Sequence, residues 1–423
     1  MISSKINLND NILLKYFLIF IPFNYALTLR IGFPLKVSEV VLFLILSLYY
    51  YFQKPVLAKG KIYEVLIIFC LFASFSTVIN LFWHYNYQLN SYVTRIDYRF
   101  DSILKLIYLY LAFLALLISD KAFSTDKKAY LKWFLVGATI CAYYSWYLFI
   151  FSLFKLPVFL LPGMDEAPQM ANLSFGDVIR CGTFKEGNFL GLFMLISSVI
   201  ALYSGKFKKY VFFLVTTIIS FSSIAVLCSF IFILMFYFSK YFTRKNLIKL
   251  LVFFSGLAII LLLLYNNKDF KFLITSKFFG NTKVINNNAE YSKADRLNSL
   301  NNAISIGNQN PLLGVGLSNY ALHISHVNQN KLFFRPNFKD IPNNVYAEIF
   351  SELGYIGLLL FCFLLWYLYT ITKLDESKIL RKGFITTLIY FIAFPTFTIL
   401  FVWVFWGLIV SLLNDRHLNV SSN

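Results

Sequence analysis

Long apolar runs separated by short basic segments make up most of the chain. An apolar run of about 20 residues matches a helix that crosses the hydrocarbon core of a bilayer. Shorter runs bounded by charged segments are interpreted here as shorter spans. The pattern predicts twelve helices, in chain order at 12–29, 35–52, 62–83, 103–119, 130–154, 188–204, 210–222, 224–239, 247–265, 345–372, 383–397 and 399–413. We therefore predict an all-α polytopic membrane protein.

Lysine and arginine cluster in alternate loops of this arrangement. Cytoplasmic loops of membrane proteins carry an excess of these residues. By length the stretch 210–239 fits one helix. If this stretch forms two short helices, the basic segments 240–249 and 373–382 lie on the same side as the earlier basic loops. A single long helix would place them on the outer side, so two helices are predicted. The alternation predicts cytoplasmic termini and places the two long loops, 155–187 and 266–344, on the outer side.

Composition strengthens the membrane assignment and narrows the class of protein. Hydrophobic residues make up 59% of the 423 positions and charged residues 14%, with a mean hydropathy of +0.67. Such a balance excludes a single soluble domain and a disordered chain. The net charge of +18 lies mainly in loops, where topology explains it without a nucleic-acid partner. The five cysteines form no spaced motif, so neither a disulfide framework nor a metal site is predicted.

Four parts follow from this topology: helices one to nine within 1–265, a large periplasmic loop at 266–344, helices ten to twelve within 345–413, and a cytoplasmic tail at 414–423. The large loop contains nine basic and four acidic residues. An excess of cations on the outer side runs against the usual charge distribution. We expect an anionic partner there, and helices within a loop of this length.

One helix of the large loop is predicted over 291–306. Ser292 with Asp295 forms a capping box, and Gly307 supplies a stop. Apolar residues at three-to-four spacing form the face predicted to lie on the bundle: Ala294, Leu297, Leu300 and Ile304. Arg296 stands at the edge of that face, either solvated beside lipid headgroups or as part of an anion site.

The segment 310–320, NPLLGVGLSNY, follows this helix. Pro311 prevents the helix from continuing. Gly314 and Gly316 allow the backbone to approach a ligand closely, or form a tight turn.

The shorter outward loop ends at 179–191 with IRCGTFKEGNFLG. Arg180 and Lys185 precede Asn188 at a predicted helix start. The positive end of a helix adds to these cations in attracting phosphate.

The tenth predicted helix opens at Asn343 and Asn344 and continues through Tyr346. Glu348 and Glu352 lie four and eight residues after Asn344, so the three polar groups share one face. At 1.5 Å per residue the helix is roughly 40 Å long, and its first turns stand at the outer boundary of the bilayer. Two alternatives remain: the carboxylates face a hydrated cavity or a cation, or they form a structural ion pair with a loop arginine.

Two other polar groups are interpreted as structural. The alternating charges of 95–101 predict an interfacial salt-bridge cluster. His323 and His326 stand three apart without an acidic or cysteine partner at metal spacing, which favours solvated side chains.

Taken in order, these motifs resemble the O-antigen polymerase and ligase superfamily of bacterial membrane glycosyltransferases. The resemblance covers about 179–357, through RxGTFxExN, the Arg-bearing helix, NPLLGVGLSNY and NxYxExxxELGxxG. It implies a GT-C-like architecture that transfers polyprenyl-pyrophosphate-linked sugars on the outer face of the inner membrane. It also implies that no metal or other cofactor is used.

The resemblance also implies roles for individual residues. Arginines of the two outward loops hold the pyrophosphate in such enzymes, and by motif these are Arg180 and Arg296. Ligases carry a histidine directly before the asparagine of the last motif, where this chain has Asn343. Because an amide does not exchange protons near neutral pH, the base is expected to be Glu348, with Glu352 second. This departure favours the polymerase branch.

We therefore predict an O-antigen polymerase whose donor and acceptor are undecaprenyl-pyrophosphate-linked oligosaccharides. A chain-length regulator is an expected partner, besides membrane lipids. A ligase that transfers glycan to lipid A core and a flippase for lipid-linked sugars are the alternatives. Catalytic roles are assigned to Arg180, Arg296, Glu348 and Glu352. Substrate-binding roles are assigned to Lys185, Asn188, Gly314, Gly316, Asn343, Asn344 and Tyr346.

Overall fold

The computed structural model describes residues 12–30, 34–52, 60–82, 98–164, 168–173, 176–241, 288–327 and 339–414. Within these ranges the chain is mainly helical, as predicted. The predicted helix at 247–265 and nearly all of the tail at 414–423 lie outside the described residues.

The first part of the chain forms four helices and one small hairpin. The helices are α1 (Ile12–Phe20), α2 (Val37–Phe52), α3 (Lys61–Phe82) and α4 (Tyr98–Leu153). Strands β1 (Thr28–Arg30) and β2 (Pro34–Lys36) pair antiparallel between α1 and α2. The prediction of a first helix over 12–29 is wrong in length, because the chain leaves the helix after nine residues.

A kink at Asp126 divides α4 into two segments. Asp126 has φ −145° and ψ 80°, and its carboxylate accepts a hydrogen bond from the amide of Ala129 at 2.9 Å. This is the geometry of a residue that caps a new helix. The two segments correspond to the helices predicted at 103–119 and 130–154.

The middle of the chain forms a second hairpin and three helices. Strands β3 (Met170–Leu173) and β4 (Gly176–Ile179) are followed by α5 (Gly187–Tyr203), α6 (Phe207–Ile219) and α7 (Ser223–Tyr241). The separation of α6 from α7 confirms the two short helices predicted from the alternation of basic loops. Phe221 adopts a positive φ of 48° at the turn between them.

Five further α-helices follow in the described C-terminal part: α8 (Asn288–Gln309), α9 (Tyr320–Val327), α10 (Val345–Ile371), α11 (Ile379–Tyr390) and α12 (Leu400–Val410). Short 3-10 helices extend α10 at Thr372–Leu374 and α11 at Phe391–Ala393. Every residue of α12 is buried. A helix that is apolar on all sides belongs inside a bundle. It packs against α4, α5 and α10.

Three described helices are long and apolar enough to cross a membrane: Lys61–Phe82, Arg99–Leu153 and Val345–Leu374. Shorter apolar helices lie at Gly187–Tyr203, Ser223–Tyr237 and Leu400–Asn414. The architecture is thus that of a helical membrane protein with several apolar helices. The specific count of twelve spans stays a prediction.

Helix α10 is broken at Gly354, which has φ 66° and ψ −167°. The break frees the carbonyls of Ser351 and Glu352, which accept hydrogen bonds from the amides of Val315 and Gly316 at 3.0 and 2.8 Å. Non-helical backbone within a bilayer protein is stable only where its polar groups are satisfied by protein or water. The segment 311–316 provides the hydrogen-bond donors for these carbonyls. It thereby fixes the position of the first two turns of α10.

Candidate functional site

Glu348 and Glu352 bind the same lysine. Nζ of Lys105, on the first segment of α4, donates to Oε1 of Glu348 at 2.7 Å and to Oε2 of Glu352 at 2.6 Å. Both glutamates are 2% exposed. The four-residue spacing places both carboxylates on one face of α10, towards α4. Their partner is therefore a helix lysine and not a loop arginine.

This group of three side chains, the Lys105 triad, leaves one oxygen without a partner. Oε2 of Glu348 is buried and has no partner at hydrogen-bond geometry among the described residues, and the backbone amide of Phe397 is the donor that acts on this carboxyl group. Two carboxylates against one ammonium also leave an excess of one negative charge. The free oxygen is thus a proton acceptor that the triad does not neutralise.

The start of α10 is held by Asn344. Its side-chain oxygen accepts a hydrogen bond from the amide of Ala347 at 3.0 Å, which confirms the predicted helix cap. Asn343, directly before it, is half-buried. Tyr346 donates its hydroxyl to the carbonyl of Leu388 on α11 at 2.9 Å. Asn344 and Tyr346 are thus both engaged within the protein.

Gly314 and Gly316 both have positive φ, 66° and 83°. A side chain on Gly314 would collide with the backbone of Glu352 and Leu353. The close approach that was predicted for this segment is made to the chain's own helix. The glycines therefore position Glu352, and a direct role in ligand binding stays a prediction.

A cavity of about 220 Å³ opens beside the Lys105 triad. Its walls come from the start of α4, from 318–320, from 339–342, from α10 and from 395–398. The charged residues lining it are Asp101, Lys105, Lys339, Asp340, Glu348 and Glu352. The carboxylates thus face a cavity and the cation of Lys105, and they also form an ion pair, as in the second alternative, with a helix lysine in place of a loop arginine.

A second ion pair borders this cavity. Lys339 bonds the carboxylate of Asp101 and the hydroxyl of Ser318. Asp101 had been grouped with its sequence neighbours in a salt-bridge cluster. Arg95 and Asp97 of that cluster lie outside the described residues, and the structure adds a distant ionic partner for Asp101, Lys339, 238 residues away in the chain. The pair connects the start of α4 to the end of the large loop.

Arg180 lies between β4 and α5, in the shorter outward loop. Its Nη1 donates to the carbonyl of Phe221 at 3.1 Å, and its Nε is buried without a partner among the described residues. Burial lowers the pKa of Arg180, as does the charge of Arg296, while Glu186 opposes the shift. The guanidinium keeps a donor available for an anion.

Arg296 lies on α8, more than a hundred residues later, and is half-buried. Its charge contributes to the lowered pKa of Arg180, so the two guanidinium groups lie within electrostatic range of each other. Two like charges brought together by separate elements are costly unless an anion separates them. The structure thus unites the two arginines that the sequence motifs selected.

The helix that carries Arg296 differs from its prediction in start, end and face. It begins at Asn288, so Ser292 does not cap it, and it continues past Gly307 to Gln309. Leu297 and Ile304 are exposed, contrary to prediction, whereas Ala303 and Ile306 are buried. Gly307 does not end the helix. Its lack of a side chain instead leaves space for the ring of Phe350 on α10.

Asn188 lies at the start of α5 and is buried. Its side-chain oxygen accepts from Ser222 at 2.8 Å, and its backbone carbonyl accepts from the hydroxyl of Tyr390 at 2.8 Å. Tyr390 in turn lies within electrostatic range of Arg296. Lys185 is exposed at the same end of the bundle. These contacts place Asn188 beside the arginine pair.

Sequence reasoning missed Lys105, although a signal was present. A lysine inside a predicted span, here 103–119, is costly in lipid and is expected to pair within the bundle. The histidine interpretation also requires correction at one position, since His323 is 6% exposed and not solvated. The side chain of His326 lies outside the described residues.

Comparison with known proteins adds one result. A family model described as O-antigen ligase matches residues 179–362, somewhat less than half of the chain. No curated protein matches the chain. The matched region contains both arginines and both glutamates of the site, whereas Lys105 lies outside it. The match identifies a superfamily and not one of its branches. Residues 179–362 are therefore similar to the O-antigen polymerase and ligase superfamily, which is a class of enzymes of glycosyl transfer in lipopolysaccharide synthesis.

Proposed function

We propose that the protein is an O-antigen polymerase. It joins oligosaccharide repeat units carried on undecaprenyl pyrophosphate, at the periplasmic face of the inner membrane. The family match and the apolar helices support the reaction class and the membrane location. The electrostatic interaction between Arg180 and Arg296 is the observation that carries the proposal, because two cations within range of each other suit a diphosphate.

The arginine pair stabilises the leaving group. Transfer breaks the bond between the donor's anomeric carbon and the pyrophosphate oxygen, and the electron pair leaves with the diphosphate. Guanidinium groups match phosphate oxygens in a bidentate way and act most strongly where water is excluded. Nε of Arg180 is one donor that stands ready for this contact.

Glu348 accepts the proton of the attacking hydroxyl. That hydroxyl belongs to the second lipid-linked unit, and its oxygen forms the new bond to the anomeric carbon. Oε1 of Glu348 is held by Lys105, which orients the carboxylate, while Oε2 is unpartnered. Glu352 shares the same lysine, so it acts as a positioning residue for Glu348. No cofactor or metal takes part in this scheme.

A ligase differs from this polymerase only in its acceptor, which is lipid A core. The description of the matching family model favours that reading. Asn343 argues against a ligase, because the resemblance implies a histidine at this position in ligases.

A deletion strain separates the two branches. Loss of a polymerase leaves lipid A core capped with single repeat units, whereas loss of a ligase leaves the core uncapped. Lipopolysaccharide gels of the deletion strain therefore test the proposal, and uncapped core would contradict it.

A lipid-linked-sugar flippase is the alternative from another class. Such a carrier needs alternating access with buried charged groups near the middle of the membrane. The Lys105 triad instead lies at the end of the bundle where α10 begins. Purified protein in detergent that joins two lipid-linked units would exclude the flippase. A chain-length regulator remains a proposed partner of the polymerase.

A further inference from the structure

We propose that the cavity beside the Lys105 triad binds one sugar ring of the acceptor glycan. This inference rests on the proposed polymerase function and adds a second subsite to it. The pyrophosphate of the donor and the sugar of the acceptor then occupy separate places, with the reacting atoms between them.

Charge separates the two subsites. The cavity is lined by four carboxylates and two lysines, so it has an excess of negative charge. A diphosphate is repelled by such a lining, whereas an uncharged polyol exchanges its water hydrogen bonds for carboxylates and ammonium groups. Neither Arg180 nor Arg296 is among the described residues that line it.

Size and surface chemistry also fit a sugar ring. The volume of about 220 Å³ is below the range of about 300–1,000 Å³ that is common for drug-sized ligands. One ring fits, and a whole repeat unit does not. Tyr108, Phe189 and Tyr320 provide flat apolar surfaces, and Thr396 and Thr398, whose hydroxyls lie 3.1 Å apart and bond each other, provide polar groups. This combination suits a ring that has apolar faces and a polar rim.

The position of the free oxygen of Glu348 indicates that a hydroxyl group of the ring lies deepest in the cavity. Glu348 lines the cavity, is 2% exposed and has Oε2 unpartnered. A buried acceptor without a donor is costly, and a hydroxyl of the bound sugar satisfies it. The same hydroxyl is then in position to lose its proton to that oxygen.

A chain of contacts through α5 connects the cavity with the arginine pair. Phe189 lines it and directly follows Asn188, whose carbonyl accepts a hydrogen bond from Tyr390. Tyr390 lies within electrostatic range of Arg296. The first turn of α5 is thus the partition between the two subsites.

Protection of a cysteine in the cavity tests this assignment. Thr398→Cys in the full-length purified protein is alkylated with N-ethylmaleimide, and modification at position 398 is measured by mass spectrometry. Undecaprenyl pyrophosphate carrying one repeat unit, and the free repeat-unit oligosaccharide at high concentration, should each slow alkylation about tenfold. Undecaprenyl pyrophosphate without sugar should leave the rate unchanged. Thr125→Cys, exposed at the kink of α4, is the matched control and should show no protection.

Equal protection by the sugar-free lipid, or no protection by either sugar-bearing probe, overturns the subsite. Thr396→Cys gives the same readout if Thr398→Cys fails to fold. This measurement reports binding alone, so a negative result overturns the sugar subsite and leaves the proposed function untouched. The proposed function is contradicted by polymer formation in the absence of both arginines.

Filling the cavity gives a second readout. Thr398→Leu adds volume, whereas Thr398→Val keeps it. With preformed lipid-linked polymer as donor and labelled single units as acceptor, Thr398→Leu should raise KM for the acceptor about tenfold. Thr398→Val should raise it less than threefold, and KM for the donor should not change. A rise confined to the donor would contradict the assignment.

Discussion

Lys105 is the residue on which the two buried glutamates depend. Its ammonium group is the described ionic partner of both Glu348 and Glu352. Two buried carboxylates without a cation repel each other and lose the interaction that offsets their desolvation. A single side chain of α4 therefore controls both the stability and the orientation of the site.

Replacing Lys105 by Met should destabilise the protein by about 3–5 kcal/mol, since it leaves buried charge uncompensated. Thermal unfolding in detergent measures this loss. Adding Glu352→Gln to Lys105→Met should recover part of the stability, because one of the two stranded charges is removed. Lys128→Met, on the exposed surface of α4, is the control and should stay within about 0.5 kcal/mol. Equal unfolding temperatures for Lys105→Met and the control would contradict the role of the triad.

The site residues differ in how far the sequence could predict them. The sequence motifs identify Arg180 and Arg296, and the structure places their charges within electrostatic range of each other. The pairing of Asp101 with Lys339 could not be predicted, because it joins positions 238 residues apart and no local pattern records such a contact.

The break of α10 shows what periodicity does and does not reveal about an element. The apolar pattern continues through Gly354, so the sequence predicts one uninterrupted helix. The positive φ at Gly354 becomes stable only because the amides of Val315 and Gly316 satisfy the freed carbonyls. That interaction is tertiary, and helical periodicity does not encode it. By contrast, the turn between α6 and α7 was predictable, since it follows from the alternation of basic loops.

Gly314→Ala should therefore cost more than a change of backbone conformation alone. Gly314 and Gly205 have similar φ values, 66° and 70°, but a new side chain at Gly314 meets the backbone of α10, whereas at Gly205 it meets open space. Gly205→Ala should cost roughly 1–2 kcal/mol, the usual penalty of left-handed backbone. Gly314→Ala should cost clearly more and should reduce polymer formation. Equal losses in thermal unfolding would show that the contact between 311–316 and α10 contributes nothing.

At the scale of the whole molecule, the functional groups gather at one end of the bundle. The starts of α4, α5 and α10 meet there, with the end of α3 and the segment 311–320. The alternation of basic loops predicts that this end faces the periplasm. In that orientation the lipid-linked substrates of the proposed reaction reach the site from the outer leaflet.

Cysteine labelling from outside the cell tests that orientation. Lys185→Cys, exposed beside the start of α5, should react with a membrane-impermeant maleimide in intact spheroplasts. Thr125 lies about 40 Å along α4 from its start at Tyr98, at a rise of about 1.5 Å per residue. Thr125→Cys should therefore react only after the membrane is opened. Reaction of Thr125→Cys alone in intact spheroplasts would place the arginines inside the cell and contradict the proposed reaction.

Removal of each guanidinium in a reconstituted reaction tests the central claim most directly. Wild-type protein, Arg180→Ala, Arg296→Ala and the charge-conserving Arg180→Lys are supplied with defined lipid-linked repeat units, and product length is measured. Loss of stabilisation at the departing diphosphate should reduce the rate at least 100-fold in each alanine variant, with folding intact. Arg180→Lys should retain intermediate activity, because it keeps the charge but loses the paired donors. Full-length polymer from both alanine variants at the wild-type rate would contradict the account.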